Sequence, residues 1–247
     1  MSDYKSHSLI GETRKSRYVI LVDHASNRVP DEIANGDLGL PTDDMARHIA
    51  YDVGAAAVGT YLGEMLDAPV LLSEFSRLVI DPNRSEDDPT LIMQLYDGSI
   101  IPGNRSLSEA DKRHRIEAYH RPYRMAAEAL AASRDDPILI AVHSFTPQLR
   151  GRPPRPWEVG ILFAHDRRYS DLLIDALDGT LETPIGINQP YSGELEGDTM
   201  DQIALQKGRQ HALIELRNDL IATDDGAKIW AQIMADALQQ ATARLEG

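Results

Sequence analysis

The feature of this sequence that most constrains its fold is an alternation of short apolar runs with longer segments of helix length. The short runs have the length of strands and are residues 18–22, 69–72, 78–80, 137–142, 159–163, 185–187 and 213–216. The longer segments are residues 43–66, 108–132 and 226–245. Strands and helices that alternate along a chain favour an α/β fold. The sequence therefore predicts a sheet that is covered by helices on both faces.

Local signals refine the second of these helices. Ser108 and Asp111 have the spacing of a capping box, which predicts the start of a helix that continues toward residue 132. Pro122 lies inside that segment and should kink or divide the helix, because proline lacks the backbone N–H group. The 247 residues contain no internal repeat and no clear linker. We therefore expect a single domain over residues 1–247.

Composition excludes several classes of protein. The chain has no cysteine, which rules out disulfides, thiolate zinc sites and a cysteine nucleophile. A formal net charge of -14 argues against a nucleic-acid partner, but an anionic small molecule needs only a local cluster of arginines. No run approaches the roughly 18 apolar residues of a membrane span, and no signal-peptide core is present. We therefore expect a cytoplasmic protein that binds no membrane.

Polar residues follow several of the predicted strands. His24 follows residues 18–22, and His143 follows residues 137–142. Glu215 lies within the apolar run 213–216. In open α/β sheets, ligands bind beyond the carboxyl ends of the strands. Two histidines in such positions, in a chain without cysteine, indicate a zinc site built from histidine and carboxylate.

Each of these residues also has a plain structural interpretation. A single histidine after a strand is more often a turn residue than a metal ligand. Glu215 on a buried strand is costly unless it is paired, metal-bound or used as a base, and Arg217 could be its partner. His48 and Asp52 lie one predicted helical turn apart, as a metal pair or as a ligand beside a supporting carboxylate. Ordinary polar contacts on a helix face are the alternative for that pair.

Asn83 and Arg84 follow the predicted strand 78–80. A guanidinium is a planar set of donors that can bind a carboxylate with two hydrogen bonds, and an adjacent amide adds a third contact. The pair is therefore a candidate clamp for the carboxylate of a small molecule. The alternative is a surface arginine in a chain with 39 acidic residues.

Five segments together resemble the N-formylglutamate amidohydrolase family. They are Asp-His-Ala-Ser-Asn at 23–27, His-Ile-Ala-Tyr-Asp at 48–52, Ser-Arg-Leu-Val-Ile-Asp-Pro-Asn-Arg at 76–84, Val-His-Ser at 142–144 and Ile-Glu-Leu-Arg at 214–217. The resemblance runs in order over about residues 18 to 220. The same segments are remotely similar to zinc carboxypeptidases and aspartoacylases. The resemblance implies a three-layer αβα domain with a mixed central sheet, like that of the zinc carboxypeptidases.

The resemblance also implies the metal site. His24 and His143 would bind zinc or another divalent metal. In the carboxypeptidase group a Glu ligand stands three residues after the first histidine, whereas this chain has Asn27 there. Asparagine is a poor zinc ligand, so another residue must supply the third place. His48 is the expected third ligand, with Asp44 as the alternative.

The remaining roles follow from the same resemblance. Arg77 would polarise the scissile carbonyl, and Glu215 would act as the general base. Asn83 and Arg84 would bind the substrate carboxylate. Tyr191, in the Asn-Gln-Pro-Tyr-Ser-Gly segment at 188–193, would reach the substrate.

The implied activity is metal-dependent hydrolysis of the linear amide of an N-formyl or other N-acyl amino acid. N-formyl-L-glutamate would give formate and L-glutamate, a reaction of amino-acid metabolism such as histidine degradation. Two alternatives stay open. The same site could act on a different N-acyl amino acid or a short peptide. The chain could also be a metal-free protein that binds carboxylates, an interpretation that Asn27 favours.

Overall fold

Nine short strands form a large sheet and a small hairpin in the computed structural model, which describes residues 4–247. The strands are β1 His7–Ile10, β2 Tyr18–Val22, β3 Val70–Ser73, β4 Leu95–Tyr96, β5 Ser99–Ile100, β6 Ile138–Phe145, β7 Val159–Leu162, β8 Gly186–Ile187 and β9 Gln210–Arg217. The helices are α1 Thr42–Met45, α2 Ala55–Met65, α3 Glu109–Arg115, α4 Arg121–Ala132, α5 Arg168–Leu177, α6 Thr199–Ile203, α7 Asn218–Ile221 and α8 Asp224–Glu246.

The large sheet is mixed and has the strand order β1-β3-β2-β6-β9-β7-β8. Its four central strands, β3, β2, β6 and β9, are parallel, so their carboxyl ends meet at one edge. Strand β1 is antiparallel to β3, and β7 is antiparallel to β9. Because β7 reverses direction, its first residue lies beside the end of β9, with Val159 opposite Leu216.

Helices cover both faces of this sheet. Strand β2 is buried at all five positions, because its successive side chains point to opposite faces. Ile20 and Val22 join a core that contains residues of α2, α5 and α8. Val19 and Leu21 join the opposite core, which contains residues of α4 and α6. The predicted α/β fold with a mixed central sheet is therefore confirmed, while the likeness to zinc carboxypeptidases stays a prediction.

The prediction of one helix over residues 43–66 was wrong. The structure has two helices there, α1 and α2, separated by residues 46–54. Gly54 precedes α2 in the left-handed region, with φ of 83°. A Cβ atom at this position would lie 2.3 Å from the Ile221 carbonyl oxygen, so glycine also satisfies a close approach. Hydrophobic periodicity does not reveal such a break. As a result, His48 and Asp52 do not share a helix face.

The prediction of a strand at residues 78–80 was also wrong. These residues are fully buried but form a turn. Side chains rather than a neighbouring strand satisfy two of the carbonyls: Asn104 Nδ2 donates to Leu78 O at 2.8 Å, and Arg115 Nη1 donates to Val79 O at 2.8 Å. The apolar side chains that this turn buries gave the sequence the appearance of a strand, although these residues pair with no strand of the described chain.

The capping box and the division near Pro122 are confirmed. Ser108 and Asp111 exchange the two hydrogen bonds of a capping box at the start of α3. A π-helical turn at Ile116–His120 then joins α3 to α4, and Pro122 occupies the first turn of α4. The predicted strand at residues 18–22 is present with its predicted ends, and the other five predicted strands and the C-terminal helix are present with shifted ends. Within residues 4–247, no helix combines the length and apolar character needed to cross a membrane.

Candidate active site

A cavity of about 260 Å³ opens at the sheet edge where the parallel strands end. His24 stands two residues after β2, and His143 lies near the end of β6. Glu215 lies near the end of β9, directly beside His143 in the register of the two strands. All three side chains line the cavity. The parallel sheet therefore brings together residues that are widely separated in the sequence.

Three potential metal ligands converge at the bottom of this cavity. The Oδ2 atom of Asp52 lies 3.2 Å from His24 Nδ1 and 2.9 Å from His143 Nδ1. All three residues are buried, and one ligand atom of each lies within 4.8 Å of the others. Two ligand atoms of a tetrahedral zinc ion lie about 3.4 Å apart, because the metal–ligand bond lengths and the tetrahedral angle fix this distance. The spacing of this trio therefore fits a zinc-sized ion.

A further carboxylate lies beside the Nε2 atom of each histidine ring. His24 Nε2 lies 2.7 Å from Asp81 Oδ1, and His143 Nε2 lies 3.3 Å from Asp23 Oδ2. The Tyr123 hydroxyl donates to the other oxygen of Asp23 at 2.7 Å. Carboxylates in this position orient metal-binding imidazoles and fix their tautomer. Both rings are thus arranged to present Nδ1 to a common point.

The charges of the cluster favour a bound cation. Burial alone would raise the pKa of Asp52, but His24 and His143 outweigh this effect and hold the pKa below its usual range. Burial would likewise lower the pKa of His143, yet its bonds to Asp23 and Asp52 raise the pKa well above the usual value. Each ring lies between two carboxylates, so negative charge surrounds the point that both Nδ1 atoms face. A divalent metal could occupy this point, so these residues fit the metal.

Arg77 lies beside this cluster and lines the same cavity. Its Nε and Nη2 atoms donate to Asp81 Oδ2 at 3.1 and 2.7 Å, and its Nη1 atom lies 3.5 Å from Asp52 Oδ1. Asp81 thus binds His24 with one oxygen and Arg77 with the other. This carboxylate joins the potential metal ligands to the guanidinium that was predicted to polarise the carbonyl.

Asn83 and Arg84 form another wall of the cavity. The Asn83 backbone N–H donates to Asp81 Oδ1 at 2.9 Å, and Asn83 Oδ1 accepts from Thr199 N at 3.0 Å. Arg84 donates to two neutral oxygens, Asn83 O at 2.8 Å and Thr90 Oγ1 at 3.3 Å. In the part of the chain that the structure describes, no carboxylate pairs with the Arg84 guanidinium. Its charge is therefore available to an anion in the cavity.

Glu215 has the properties of a general base. Its side chain is buried, and its Oε2 atom has no hydrogen-bond partner among residues 4–247. Burial, reinforced by the negative charge of Asp52, raises the pKa of Glu215 to about 7. Arg217 does not pair with it, because Arg217 donates to Asp219 instead. A carboxyl group with such a pKa can take up and release a proton near neutral pH.

Tyr191 lies at the mouth of the cavity and is 40% exposed. Its hydroxyl accepts a hydrogen bond from Arg155 Nη2 at 3.3 Å. The Asn188 side chain fixes the surrounding loop, since Asn188 Oδ1 accepts from the backbone N–H groups of Phe163 and Gly193 at 3.0 and 3.2 Å.

The residues expected to supply the third metal ligand have other partners. His48 lines the cavity, but its Nε2 atom lies 3.5 Å from Asp97 Oδ2. Asp44 accepts from Arg47 at 2.7 Å and from Ser99 at 2.9 Å. Asn27 donates to the Met45 carbonyl at 2.9 Å. The structure instead groups Asp52 with His24 and His143, because residues 46–54 leave the helix and turn back toward β2.

Sequence reasoning missed Asp23 and Asp81 as partners of the two histidines. Asp23 precedes His24 in the chain but supports His143, which lies 120 residues further along the sequence. Asp81 supports His24 from a position directly after residues 78–80, which were predicted to be a strand but form a turn. The only available signal was the acidic residue within each family-like segment, and it does not reveal the partner.

Comparisons with known proteins identify the family and the fold. The model of the family described as N-formylglutamate amidohydrolase matches residues 16–222. The gene product Atu2144 from Agrobacterium tumefaciens is 32% identical, with a TM-score of 0.90 over 99% of this chain and 97% of that chain. N-formylglutamate amidohydrolase from Ralstonia eutropha JMP134 shares the fold at 20% identity, with a TM-score of 0.66 over 98% of this chain and 97% of that chain. No curated protein matches the sequence. The chain belongs to the N-formylglutamate amidohydrolase family and is an amidohydrolase.

Proposed function

We propose that the protein hydrolyses N-formyl-L-glutamate to formate and L-glutamate, with a divalent metal, preferably zinc, held by His24, Asp52 and His143. One observation carries the proposal. The unpaired carboxyl of Glu215 and the guanidinium of Arg84 face the same cavity as the three potential ligands. The family, and the relative from Ralstonia eutropha, support the choice of substrate.

The two histidines and Asp52 would hold the metal through His24 Nδ1, His143 Nδ1 and Asp52 Oδ2. Asp81 and Asp23 would keep the proton of each ring on Nε2. A bound zinc ion supplies a water whose pKa is lowered toward about 7 and polarises a carbonyl oxygen. Asp52 also accepts from the Ser144 backbone N–H at 3.2 Å, which fixes its orientation.

Glu215 would move the proton. Its Oε2 atom lacks a partner in the described chain and would accept a proton from the attacking water. The same carboxyl would then give this proton to the nitrogen of the leaving amine. Because burial raises the pKa of Glu215 to about 7, both steps are accessible near neutral pH.

Arg77 and the Asn83–Arg84 pair would orient the substrate and stabilise its charge. Asp81 holds the Arg77 guanidinium with two hydrogen bonds, so the charge stands ready for the oxyanion that develops on the carbonyl. Arg84 and Asn83 would bind the carboxylate of the amino acid. This contact fixes the amide bond relative to Glu215 and lowers the entropic cost of reaction.

Formate release from N-formyl-L-glutamate, measured together with metal content, tests the proposal. We expect about one metal ion per chain and its loss in His24→Ala, Asp52→Ala and His143→Ala. His165→Ala is a control, since this exposed histidine lies outside the cavity. Undiminished metal in the three ligand variants would refute the ligand assignment.

A substrate panel tests the acyl group and the amino acid separately. N-acetyl-L-glutamate, N-formyl-L-leucine and a dipeptide ending in glutamate are suitable comparisons. Faster cleavage of another member would assign the site to that N-acyl amino acid or peptide. Binding of these compounds that depends on Arg84, in a protein without metal and without turnover, would identify a carboxylate-binding protein instead.

A further inference from the structure

Asp198 is a buried carboxylate in the cavity wall that the reaction described above does not use. Its side chain lines the cavity, and the residue is only 4% exposed. One oxygen, Oδ1, accepts the Asp201 backbone N–H at 2.7 Å and caps α6. Among residues 4–247, no donor bonds to the other oxygen, Oδ2, and no cation lies within ion-pair distance, although Arg124 and His143 attract the charge of Asp198 from further away. A buried carboxylate that forms no hydrogen bond with a cation is costly, and such groups are commonly retained for function.

The position of Asp198 relative to the carboxylate clamp is fixed. The next residue, Thr199, donates its backbone N–H to Asn83 Oδ1 at 3.0 Å and its hydroxyl to Pro82 O at 3.3 Å. Asp198 therefore adjoins the segment that would bind the α-carboxylate of the substrate. In an amino acid, the amine is attached to the carbon that carries this carboxylate. A ligand held by Asn83 and Arg84 would therefore carry its nitrogen two bonds from the clamped carboxylate carbon, inside the cavity that Asp198 also lines.

The charge of this nitrogen changes during the reaction. Hydrolysis breaks the C–N bond, forms a C–O bond to the water oxygen, and leaves both protons of the water on nitrogen. The neutral amide thereby becomes an ammonium group, and the acyl group leaves as a carboxylate. Glu215 relays one of these protons and ends the cycle as it began. A fixed negative charge beside the nitrogen favours the ammonium product over the neutral amide.

We propose that Asp198 binds the amino group of the amino acid, as hydrogen-bond acceptor for the amide N–H of the substrate and as counter-ion for the ammonium of the product. The proposal rests on the proposed function and extends it to the leaving group. The other three acidic residues that line the cavity differ from Asp198, and Glu215 among them is the proposed base. Asp52 is paired with His24 and His143, and Glu194 is exposed.

Binding of L-glutamate and of glutarate to the zinc-loaded protein separates this role from a structural one. The two ligands carry the same pair of carboxylates, but glutarate has no amino group. Measurements at pH 8 keep Asp198 ionised, since burial raises its pKa only to about 6. In the wild type, glutamate should bind roughly tenfold or more tightly than glutarate, as a charged hydrogen bond allows.

Asp198→Asn removes the charge and keeps the helix cap, because asparagine and aspartate are equally good capping residues. This variant should weaken glutamate binding by roughly tenfold or more and change glutarate binding less than about twofold. Asp201→Asn is a matched control. It makes the same change of charge three residues away, and Asp201 does not line this cavity.

Three results would contradict the proposal, each in a different way. Equal weakening of glutamate and glutarate in Asp198→Asn would assign the residue a structural role and leave the proposed function intact. Equal affinity of the wild type for the two ligands would exclude an amine contact, whatever the stability of the variant. Failure of both ligands to bind in an Arg84-dependent manner would refute the proposed function, and this proposal with it.

Discussion

The Asp81 carboxylate bonds to His24 with one oxygen and to Arg77 with the other, so its charge supports two buried residues at once. Arg77 is shielded from solvent, with a side chain that is 12% exposed, and the Asp81 side chain is 3% exposed. Asp81→Asn keeps the shape of the side chain and removes its charge. Among residues 4–247, Asp52 at 3.5 Å would then be the one remaining carboxylate beside the buried Arg77 guanidinium, which also lies 5.5 Å from the centre of the Tyr96 ring.

Removing one partner of a buried ion pair costs about 3–5 kcal/mol. For a chain of this size, a loss of that order lowers the melting temperature by roughly 10 °C. In the metal-loaded protein, the loss of the carboxylate behind His24 should also weaken metal affinity by roughly 10- to 100-fold. Thermal unfolding of the metal-free protein and titration with zinc measure the two effects separately.

Asp136→Asn is the matched control for stability. Asp136 also pairs with an arginine, Arg17, but its side chain is 74% exposed. An exposed pair of this kind contributes less than about 1 kcal/mol. Equal melting temperatures for the two variants would refute the reasoning, because burial would then make no difference to the cost of removing the charge.

The pH dependence of this stability difference has a definite sign. Burial would raise the pKa of Asp81, but Arg77 and His24 outweigh it and hold the pKa well below its usual range. The stabilisation is therefore fully present above the pKa of an unfolded aspartate, about 4, and is lost as the pH falls further. The wild type and Asp81→Asn should converge in stability only in strong acid.

Three further variants, and one control variant, test separate parts of the structure. Glu215→Gln should keep its metal and lose roughly 10²- to 10⁴-fold in kcat, and near-normal turnover would exclude Glu215 as the base. Arg84→Gln should raise KM for N-formyl-L-glutamate by roughly tenfold or more. The comparison substrate is N-formyl-L-glutamate whose α-carboxylate is replaced by a carboxamide. Arg84→Gln should leave deformylation of this α-amide almost unchanged, whereas an equal rise in KM for both substrates would disprove the clamp. Gly54→Ala should lower the free energy of unfolding by more than about 2 kcal/mol, because it adds a clash to the strain of a positive φ. Gly179→Ala, at φ of 77° with nothing within 4 Å, should show only the strain of about 1 kcal/mol.

The sequence was most informative where a residue's environment depends on its immediate neighbours. The buried strand at residues 18–22 was recognisable, because both of its faces are covered and all five side chains are apolar. The capping box at Ser108 was recognisable because its two hydrogen bonds join residues only three positions apart in the chain. The polar residues that follow such buried apolar runs therefore indicated the position of the candidate active site. The prediction of one domain over residues 1–247 stays a prediction.

The sequence was least informative where the chain turns back on itself. Nothing in the periodicity of residues 43–66 signals that the chain leaves the helix before Gly54 and brings Asp52 to His24. The third potential metal ligand, Asp52, depends on that turn. The partners of Asp23 and Asp81 depend on pairing between strands and turns that are far apart in the chain. Such pairings follow from the tertiary fold rather than from local patterns.

The reversed direction of β7 has a consequence for how this site can diversify. Strand β6 ends at the site edge with Phe145, and β7 begins there with Val159, so both ends of the loop 146–158 are anchored beside β9. This loop supplies Arg155, which contacts Tyr191 at the cavity mouth, but none of the proposed metal ligands and not the proposed base. Substitutions and insertions in the loop can therefore reshape the rim while the reactive groups stay on the strands and on other turns. In such a scaffold, substrate range and reaction chemistry can evolve on separate segments of the chain.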